Sequence, residues 1–173
     1  HIEVVPKVTV CGVVREVLWK FKDFDFFMSM YFSIYRIHTD KGTYVGQASN
    51  LVSRMIAHYS CKVWKKGYKI ERLPIYTAIC DTPDDRLKIE ELGYYKVSKK
   101  SEINRIEKFW IGLAGSELNV HHRPKSRTLY LDGSHELEKK LRVDRHLDDK
   151  ITLDMKYQFD LMMITYKMLK MTL

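Results

Sequence analysis

The sequence predicts an α+β fold of the α/β sandwich type, in which a small three-stranded antiparallel sheet is flanked by helices. Two short apolar and aromatic runs, residues 31–38 and 44–47, are separated by a segment that contains Asp, Lys and Gly. Such a pattern is typical of a β-hairpin. A third short run, residues 74–80, is rich in β-forming residues and predicts the third strand.

Helices are predicted wherever apolar residues recur at the spacing of one helix face. In residues 9–22 they recur at i, i+3, i+4 and i+7. Asn50 and the two residues before it are candidate N-caps for a helix with Leu51, Met55 and Tyr59 on one stripe. The remaining predicted helices cover about residues 81–92, ended by Gly93, residues 101–114, capped by Ser101 and ended by Gly115, and residues 135–142 and 149–173.

The last of these helices has two apolar stripes. The first has the spacings 4, 3, 4 and 3 and consists of Tyr157, Leu161, Ile164, Met168 and Met171. The second consists of Met155, Phe159, Met162, Tyr166 and Leu169. A helix that is apolar on two sides is packed on two sides. We therefore expect the C-terminal helix to contact both its own domain and a partner subunit, which favours a homodimer.

Composition restricts the classes of function. A chain of 173 residues with 45% hydrophobic residues forms one domain with a real core. The net charge of +8 favours an anionic partner, with nucleic acid before membrane. Since the sequence has no apolar run of about 18 residues, we expect no transmembrane helix. Three widely spaced cysteines without a C-x-x-C motif indicate reduced thiols and a cytoplasmic protein.

Two basic segments are candidates for contact with DNA phosphates. The first has aromatic residues among its cations, and the second lies just beyond the helix at 101–114. Lysine and arginine neutralise phosphates, and aromatic rings stack on bases. The competing interpretation of each segment is a solvated loop. The candidate DNA-binding residues are Lys62, Lys65, Lys66, Lys69 and Arg72 in the first segment and Arg123, Lys125 and Arg127 in the second.

Three polar residues lie on or beside apolar helix faces. Arg54 and His58 are one turn apart and therefore project from the same side of a helix. Glu107 lies among large apolar residues, where a carboxylate is costly unless it has a partner or a metal ion. The alternative is that each of these side chains simply reaches solvent.

These residues, taken in order with their spacing, resemble the GIY-YIG nuclease family. The segment Ser33-Ile34-Tyr35 resembles the first motif, with Ser33 in place of glycine, and Tyr44-Val45-Gly46 resembles the second. The resemblance covers about residues 31–120, so residues 1–30 and 121–173 form N-terminal and C-terminal extensions. The matching residues are Tyr35, Tyr44, Arg54, His58, Glu107 in Glu107-Lys108-Phe109-Trp110-Ile111, and Asn119.

The resemblance implies a hydrolytic reaction at a phosphodiester bond. Tyr35 would take the proton from the attacking water, and Tyr44 would orient the phosphate or the water. Glu107 would hold one divalent cation, Mg²⁺ or in its place Mn²⁺, with several waters. An unperturbed phenol has a pKa near ~10. We therefore expect the cation and Arg54 to favour the phenolate form of Tyr35.

The resemblance also implies roles for the other three residues. Arg54 would contact phosphate oxygens through its planar, forked guanidinium. His58 would either relay a proton from Tyr35 or contact the phosphate itself. Asn119 would brace the site without reacting.

The compact core with short extensions resembles the restriction-enzyme branch of the family. The sequence therefore predicts a Mg²⁺-dependent, site-specific endonuclease of the type II restriction class that acts on double-stranded DNA. One alternative is a homing, repair or branched-DNA nuclease with the same chemistry. Another, from a different functional class, is a non-catalytic module that binds nucleic acid.

Overall fold

A computed structural model describes residues 30–64, 73–120, 133–145 and 151–172. The elements in chain order are β1 (Met30–Thr39), β2 (Gly42–Ala48), α1 (Leu51–Val63), α2 (Pro74–Asp81), β3 (Lys88–Val97), α3 (Lys100–Ala114), α4 (Ser134–Leu141) and α5 (Met155–Thr172). The strands form one antiparallel sheet in the order β2–β1–β3. The predicted fold class, α+β with a three-stranded antiparallel sheet and flanking helices, is confirmed.

The predicted hairpin is formed by β1 and β2. Thr39 lies opposite Gly42, which leaves a two-residue turn between the strands. Tyr35 lies opposite Gly46, and Ile37 lies opposite Tyr44. Since directly paired residues project from the same face of a sheet, Tyr35 and Tyr44 share one face.

Each face of the sheet is covered by its own hydrophobic core. The face that carries Tyr35 and Ile37 packs against apolar side chains of α1, α2 and α5. The opposite face, which carries Ile34 and Val45, packs against α3 and α4. The fold is therefore a sheet between two helical layers, and β2 forms one edge of that sheet.

The predicted third strand at residues 74–80 is wrong, because this segment forms helix α2. Its buried residues are Ile75, Ala78 and Ile79, which have the helical spacing i, i+3 and i+4. Pro74 occupies the first turn, where a helix tolerates the missing N–H. Packing of this apolar face outweighs the β-propensity of the individual residues.

The predicted helix at residues 81–92 is also wrong, because the third strand begins at Lys88. Gly93 lies inside β3 and does not end a helix. A Cβ atom at Gly93 would lie 2.4 Å from the hydroxyl oxygen of Tyr95, so glycine here makes room for that ring. Beside it, Ile34 pairs with Gly93 but Tyr35 pairs with Glu91, which leaves an extra residue as a β-bulge.

The predicted caps of α1 and α3 agree with the structure with one exception. Asn50 caps α1 through a 3.0 Å hydrogen bond from the backbone N–H of Ser53, and Gly115 ends α3. The exception is the start of α3, where the N-cap is Lys99 and not Ser101. Helix α4 begins at Ser134, one residue before the predicted segment. The predicted start of the last helix at residue 149 is wrong, because residues 151–154 are not helical and α5 begins at Met155. The predicted helix at 9–22 lies outside the described residues.

Helix α5 packs on α1 through one of its two predicted stripes. Met155 and Phe159 are buried, and the ring of Phe159 lies 5.4 Å from that of Tyr59. The other stripe is exposed and includes Tyr157, Leu161, Ile164, Met168 and Met171. In the described part of the chain, every helix is too short or too polar to cross a membrane.

Candidate active site

Tyr35 and His58 form a buried hydrogen-bonded pair at the centre of the candidate site. The Tyr35 hydroxyl lies 2.9 Å from Nε2 of His58, and the two residues are 1% and 3% exposed. Strand alternation directs Tyr35 towards α1, and His58 lies on the buried stripe of α1 together with Met55. The structure therefore joins two of the predicted site residues directly.

Three tyrosine rings surround the imidazole of His58. Its centroid lies 5.8 Å from those of Tyr35 and Tyr44 and 5.7 Å from that of Tyr76. Tyr76 was not among the predicted site residues, because its segment was interpreted as a strand on sequence grounds. It reaches the site only because that segment is helix α2, which packs beside α1.

Burial, and then the charge of Arg54, lower the pKa of His58 to about 3. The imidazole is therefore neutral at physiological pH. Its Nδ1 atom is buried and has no hydrogen-bond partner among the described residues. An unpaired ring nitrogen is less costly as a bare acceptor than as an N–H donor. This favours the tautomer in which Nε2–H donates to the oxygen of Tyr35.

Both hairpin tyrosines are neutral phenols in this structure. Burial is the largest effect that raises the pKa of Tyr35 well above its ordinary value, with Tyr44 and Glu107 acting in the same direction. Burial and Glu107 raise the pKa of Tyr44 to about 12. Arg54 lowers both pKa values, as expected from the sequence, but burial outweighs its effect.

Arg54 is a charged residue of the helix that carries His58. It is exposed on α1, one turn before His58. Its charge acts on the pKa of Tyr35, Tyr44 and His58, so the guanidinium is within electrostatic reach of all three. In the described ranges its guanidinium has no hydrogen bond or ion pair, which leaves it available to an anion.

Glu107 extends from α3 to the β2 edge of the sheet. Its Oε2 atom accepts a 2.7 Å hydrogen bond from Nε2 of Gln47. The Gln47 amide also contacts Asn104 and Lys100. The sequence analysis missed Gln47 and Lys100, although Gln47 directly follows Tyr44-Val45-Gly46 and Lys100 lies two helical turns before Glu107.

A metal ion in this region would have one protein carboxylate. Among the residues that the structure describes, no group of three or more His, Cys, Asp and Glu side chains could hold a metal ion. Mg²⁺, however, usually keeps several waters and takes only one or two carboxylates. Oε1 of Glu107 has no hydrogen bond within the described ranges, and the side chain is half-buried. Glu107 therefore fits a single hard cation with a largely aqueous shell.

Asn119 is bound to the backbone of β2. Its Oδ1 atom accepts from the N–H of Val45 and its Nδ2 atom donates to the carbonyl of Val45, both at 2.8 Å. Val45 lies between Tyr44 and Gly46. Asn119 therefore fixes the strand that carries Tyr44 through both the oxygen and the nitrogen of its side-chain amide.

Ser33, which stands where the resemblance expects glycine, participates in a partly buried ion-pair cluster. Its hydroxyl donates to Glu91 at 2.6 Å and accepts from Arg145 at 2.7 Å. Arg145 also pairs with Glu91 and lies 4.1 Å from the ring centroid of Tyr94. The serine therefore helps to attach the chain after α4 to β1 and β3.

Of the predicted DNA-binding residues, the structure describes Lys62 alone. Its ammonium donates to the carbonyl of Thr82 and, at 2.8 Å, to Asp84, so it links α1 to the loop before β3. The other predicted residues lie outside the described ranges and are Lys65, Lys66, Lys69, Arg72, Arg123, Lys125 and Arg127.

Five of the six predicted catalytic residues are linked through hydrogen bonds, ring contacts or charge, and the sixth, Asn119, braces β2 beside them. Comparisons of the chain with protein-family models, curated proteins and solved structures found no match.

Proposed function

We propose that this chain is a divalent-metal-dependent nuclease that hydrolyses phosphodiester bonds of double-stranded DNA. The observation that carries the proposal is the buried Tyr35–His58 hydrogen bond with Arg54 and Glu107 in electrostatic reach of it. A proton acceptor, a cation for phosphate and a carboxylate for metal are the groups that such a reaction needs. The resemblance to GIY-YIG nucleases in residues 31–120 points to the same chemistry.

In the proposed reaction, a water oxygen attacks phosphorus while the P–O3′ bond breaks. The phenolate form of Tyr35 accepts the proton of the attacking water, and the 3′ oxygen takes its proton from solvent. Arg54 binds the non-bridging phosphate oxygens, and Tyr44 orients the phosphate or the water. The products carry a 5′-phosphate and a 3′-hydroxyl.

His58 acts in this scheme as a hydrogen-bond donor to Tyr35. Because the pKa of His58 is about 3 and its Nδ1 atom has no hydrogen-bond partner among the described residues, the imidazolium form would be poorly stabilised. Nε2–H can instead donate to the Tyr35 oxygen and stabilise its phenolate.

Glu107 holds the metal ion in this proposal. A bound Mg²⁺ or Mn²⁺ would supply Lewis-acid stabilisation of the charge that develops on phosphate oxygens. Oε1 of Glu107 has no hydrogen bond among the described residues and remains for the metal. Asn119 keeps β2 in register beside it.

The net charge of the chain supports the proposed substrate and the proposed location of the protein. A net charge of +8 suits a DNA partner, and we propose a site-specific restriction endonuclease as the form of the activity. We propose that the enzyme acts in the cytoplasm, where its DNA substrate is found.

A homodimer is part of the proposal, because one site of this kind cuts one strand. The exposed stripe of α5 has the spacing of a helix-pairing seam, and Asp160 and Lys167 both flank it at equivalent positions. In an antiparallel pair of α5 helices, Asp160 would face Lys167 of the partner subunit. This charge complementarity favours a second copy of the chain as the occupant.

Incubation with plasmid and phage DNA in Mg²⁺ tests the proposal. We expect the wild-type chain to produce discrete fragments and Glu107→Ala to produce none. Tyr35→Phe should lower the rate by about 10²–10⁴-fold, the usual contribution of a general base. Glu136→Ala, which removes an exposed carboxylate on α4, serves as the matched control and should cut normally.

The substrates in the same experiment separate the possible outcomes. Cutting of forks or junctions alone would indicate a branched-DNA nuclease and overturn the restriction assignment. If the folded wild-type chain binds DNA and leaves every substrate intact, the proposal of nuclease activity is wrong.

A further inference from the structure

The side-chain amide of Gln47 connects two charged residues of α3, Lys100 and Glu107. Oε1 accepts from the ammonium of Lys100 at 2.5 Å. Nε2 donates to Oε2 of Glu107 at 2.7 Å and to Oδ1 of Asn104 at 2.9 Å. Positions 100, 104 and 107 lie on one face of α3, which therefore faces Gln47.

The chemistry of these partners allows only one orientation of the amide. A lysine ammonium can only donate, and an ionised carboxylate can only accept. Oε1 of Gln47 must therefore face Lys100, and Nε2 must face Glu107. Both protons of the NH₂ group are used, so Gln47 has no remaining donor and cannot rotate without loss.

This arrangement leaves specific atoms available. Oε1 of Glu107 has no hydrogen bond among the described residues. Among these residues, the Lys100 ammonium uses one of its three N–H donors, in its bond to Gln47. Lys100 also lies 4.3 Å from the ring centroid of Phe32, which restricts its side chain. The same hydrogen bonds to Gln47 therefore hold in place the two unused N–H donors of Lys100 and the free carboxylate oxygen of Glu107.

The charges at this edge of the sheet are unbalanced. Arg54 and Lys100 are two cations, and Glu107 is one carboxylate, so the three carry one surplus positive charge. The two cations are close enough that Arg54 lowers the pKa of Lys100, after the larger effects of burial, which lowers it, and of Glu107, which raises it. An anion between them would relieve this repulsion.

We infer that Gln47 is a positioning residue that orients the metal-holding carboxylate of Glu107 and that Lys100 binds a phosphate of the DNA backbone next to that metal. The inference rests on the proposed nuclease function and adds two residues to it. It also explains why an exposed lysine is held in one place, since a fixed ammonium loses less entropy on binding phosphate.

Metal affinity tests the role of Gln47 without any cleavage. Mn²⁺ binding to the free protein is measured by calorimetry for the wild type, Gln47→Met, Lys108→Met and Glu107→Ala. We expect Glu107→Ala to abolish binding and Gln47→Met to weaken it by about 10–100-fold, as is usual when a partner of a metal ligand is removed. Lys108→Met changes an exposed residue next to Glu107 and should leave the affinity unchanged.

Salt dependence tests the role of Lys100 independently of Gln47. DNA binding is measured in EDTA at several salt concentrations for the wild type, Lys100→Met and Lys108→Met. Loss of one phosphate contact should reduce the slope of log K against log salt by about 0.9 for Lys100→Met. Lys108→Met should keep the wild-type slope.

The outcomes separate this inference from the proposed function. If Glu107→Ala abolishes Mn²⁺ binding but Gln47→Met and Lys100→Met behave as wild type in their assays, the inference is wrong and the proposed function stands. If the wild type neither cleaves DNA nor loses Mn²⁺ binding in Glu107→Ala, the proposed function itself fails. Thermal unfolding of each variant verifies that it is folded.

Discussion

At the scale of single residues, the environment of Tyr35 determines the pH at which its hydroxyl becomes a phenolate that can act as a base. The aromatic and helical surroundings that position its hydroxyl also raise its pKa, because they exclude water. His58 lies in the same cluster and is kept neutral for the same reason. The site therefore contains a weakly acidic phenol beside a weakly basic imidazole, and the two possible proton routes predict different pH dependences.

We predict that kcat/KM for DNA cleavage rises with pH across the neutral range. If the Tyr35 phenolate is the base, its fraction increases about tenfold per pH unit below its raised pKa. If neutral His58 accepted the proton instead, the rate would be flat over this range, because His58 is already unprotonated above pH 3. A pH–rate profile for the wild type distinguishes the two routes.

Tyr44→Phe provides the control for this profile, because the pKa of Tyr44 is also raised, to about 12. The rising limb should persist in Tyr44→Phe at a lower rate. A flat profile in the wild type would contradict the assignment of Tyr35 as a phenolate base.

At the scale of elements, the hairpin and two glycines that make room for tyrosine rings set the geometry. Gly46 on β2 lies opposite Tyr35, and a Cβ atom there would lie 2.4 Å from the Tyr35 hydroxyl oxygen and 3.0 Å from a ring carbon of Tyr44. Both tyrosines of the candidate site therefore pass directly over a residue that has no side chain. The glycine of the second motif has a steric function in this fold.

We predict that Gly46→Ala lowers both stability and cleavage. The added methyl group must displace the Tyr35 ring, which breaks its hydrogen bond to His58. Overpacking of this kind costs about 1–3 kcal/mol of unfolding free energy. Denaturant unfolding and DNA cleavage of the folded variant measure the two effects separately.

Gly93→Ala is the matched control, because its methyl group would clash in the same way with Tyr95 on the opposite face of the sheet. We expect a similar loss of stability in Gly93→Ala, with cleavage retained in the folded fraction. Full cleavage activity in Gly46→Ala would show that the position of the Tyr35 ring does not matter.

At the scale of the whole molecule, the outer apolar stripe of α5 is exposed to solvent in a single chain. Ile164, near its middle, is 55% exposed, while Phe159 on the opposite side of the helix is buried against α1. A helix that is anchored on one side and apolar on the other presents a surface that water disfavours. We propose that this surface pairs two copies of the chain.

We predict that single charge reversals at the edge of this stripe weaken the dimer and that the double reversal restores it. Asp160→Lys or Lys167→Asp alone would place like charges opposite each other in an antiparallel pair, whereas the two together would recreate the attraction. Light scattering over a range of concentrations measures the effect. A mass that stays near 20.6 kDa for the wild type would contradict the dimer.

The sequence by itself determined the elements whose signals are local. The hairpin, the caps at Asn50 and Gly115, and the helical periodicity of α3 and α5 all depend on neighbours within a few positions. These signals were sufficient for the fold class, whereas the list of six candidate site residues depended on the resemblance to a nuclease family.

Only the tertiary structure decided which segment completes the sheet and which side chains meet. Residues 74–80 are rich in β-formers, yet they form a helix, and β3 is formed by a segment whose Gly93 suggested a helix end. Short apolar runs are ambiguous because burial against distant elements, and not local propensity, selects their conformation. The same long-range packing brings Tyr76, Gln47 and Lys100 to the site and decides that burial outweighs Arg54 at Tyr35.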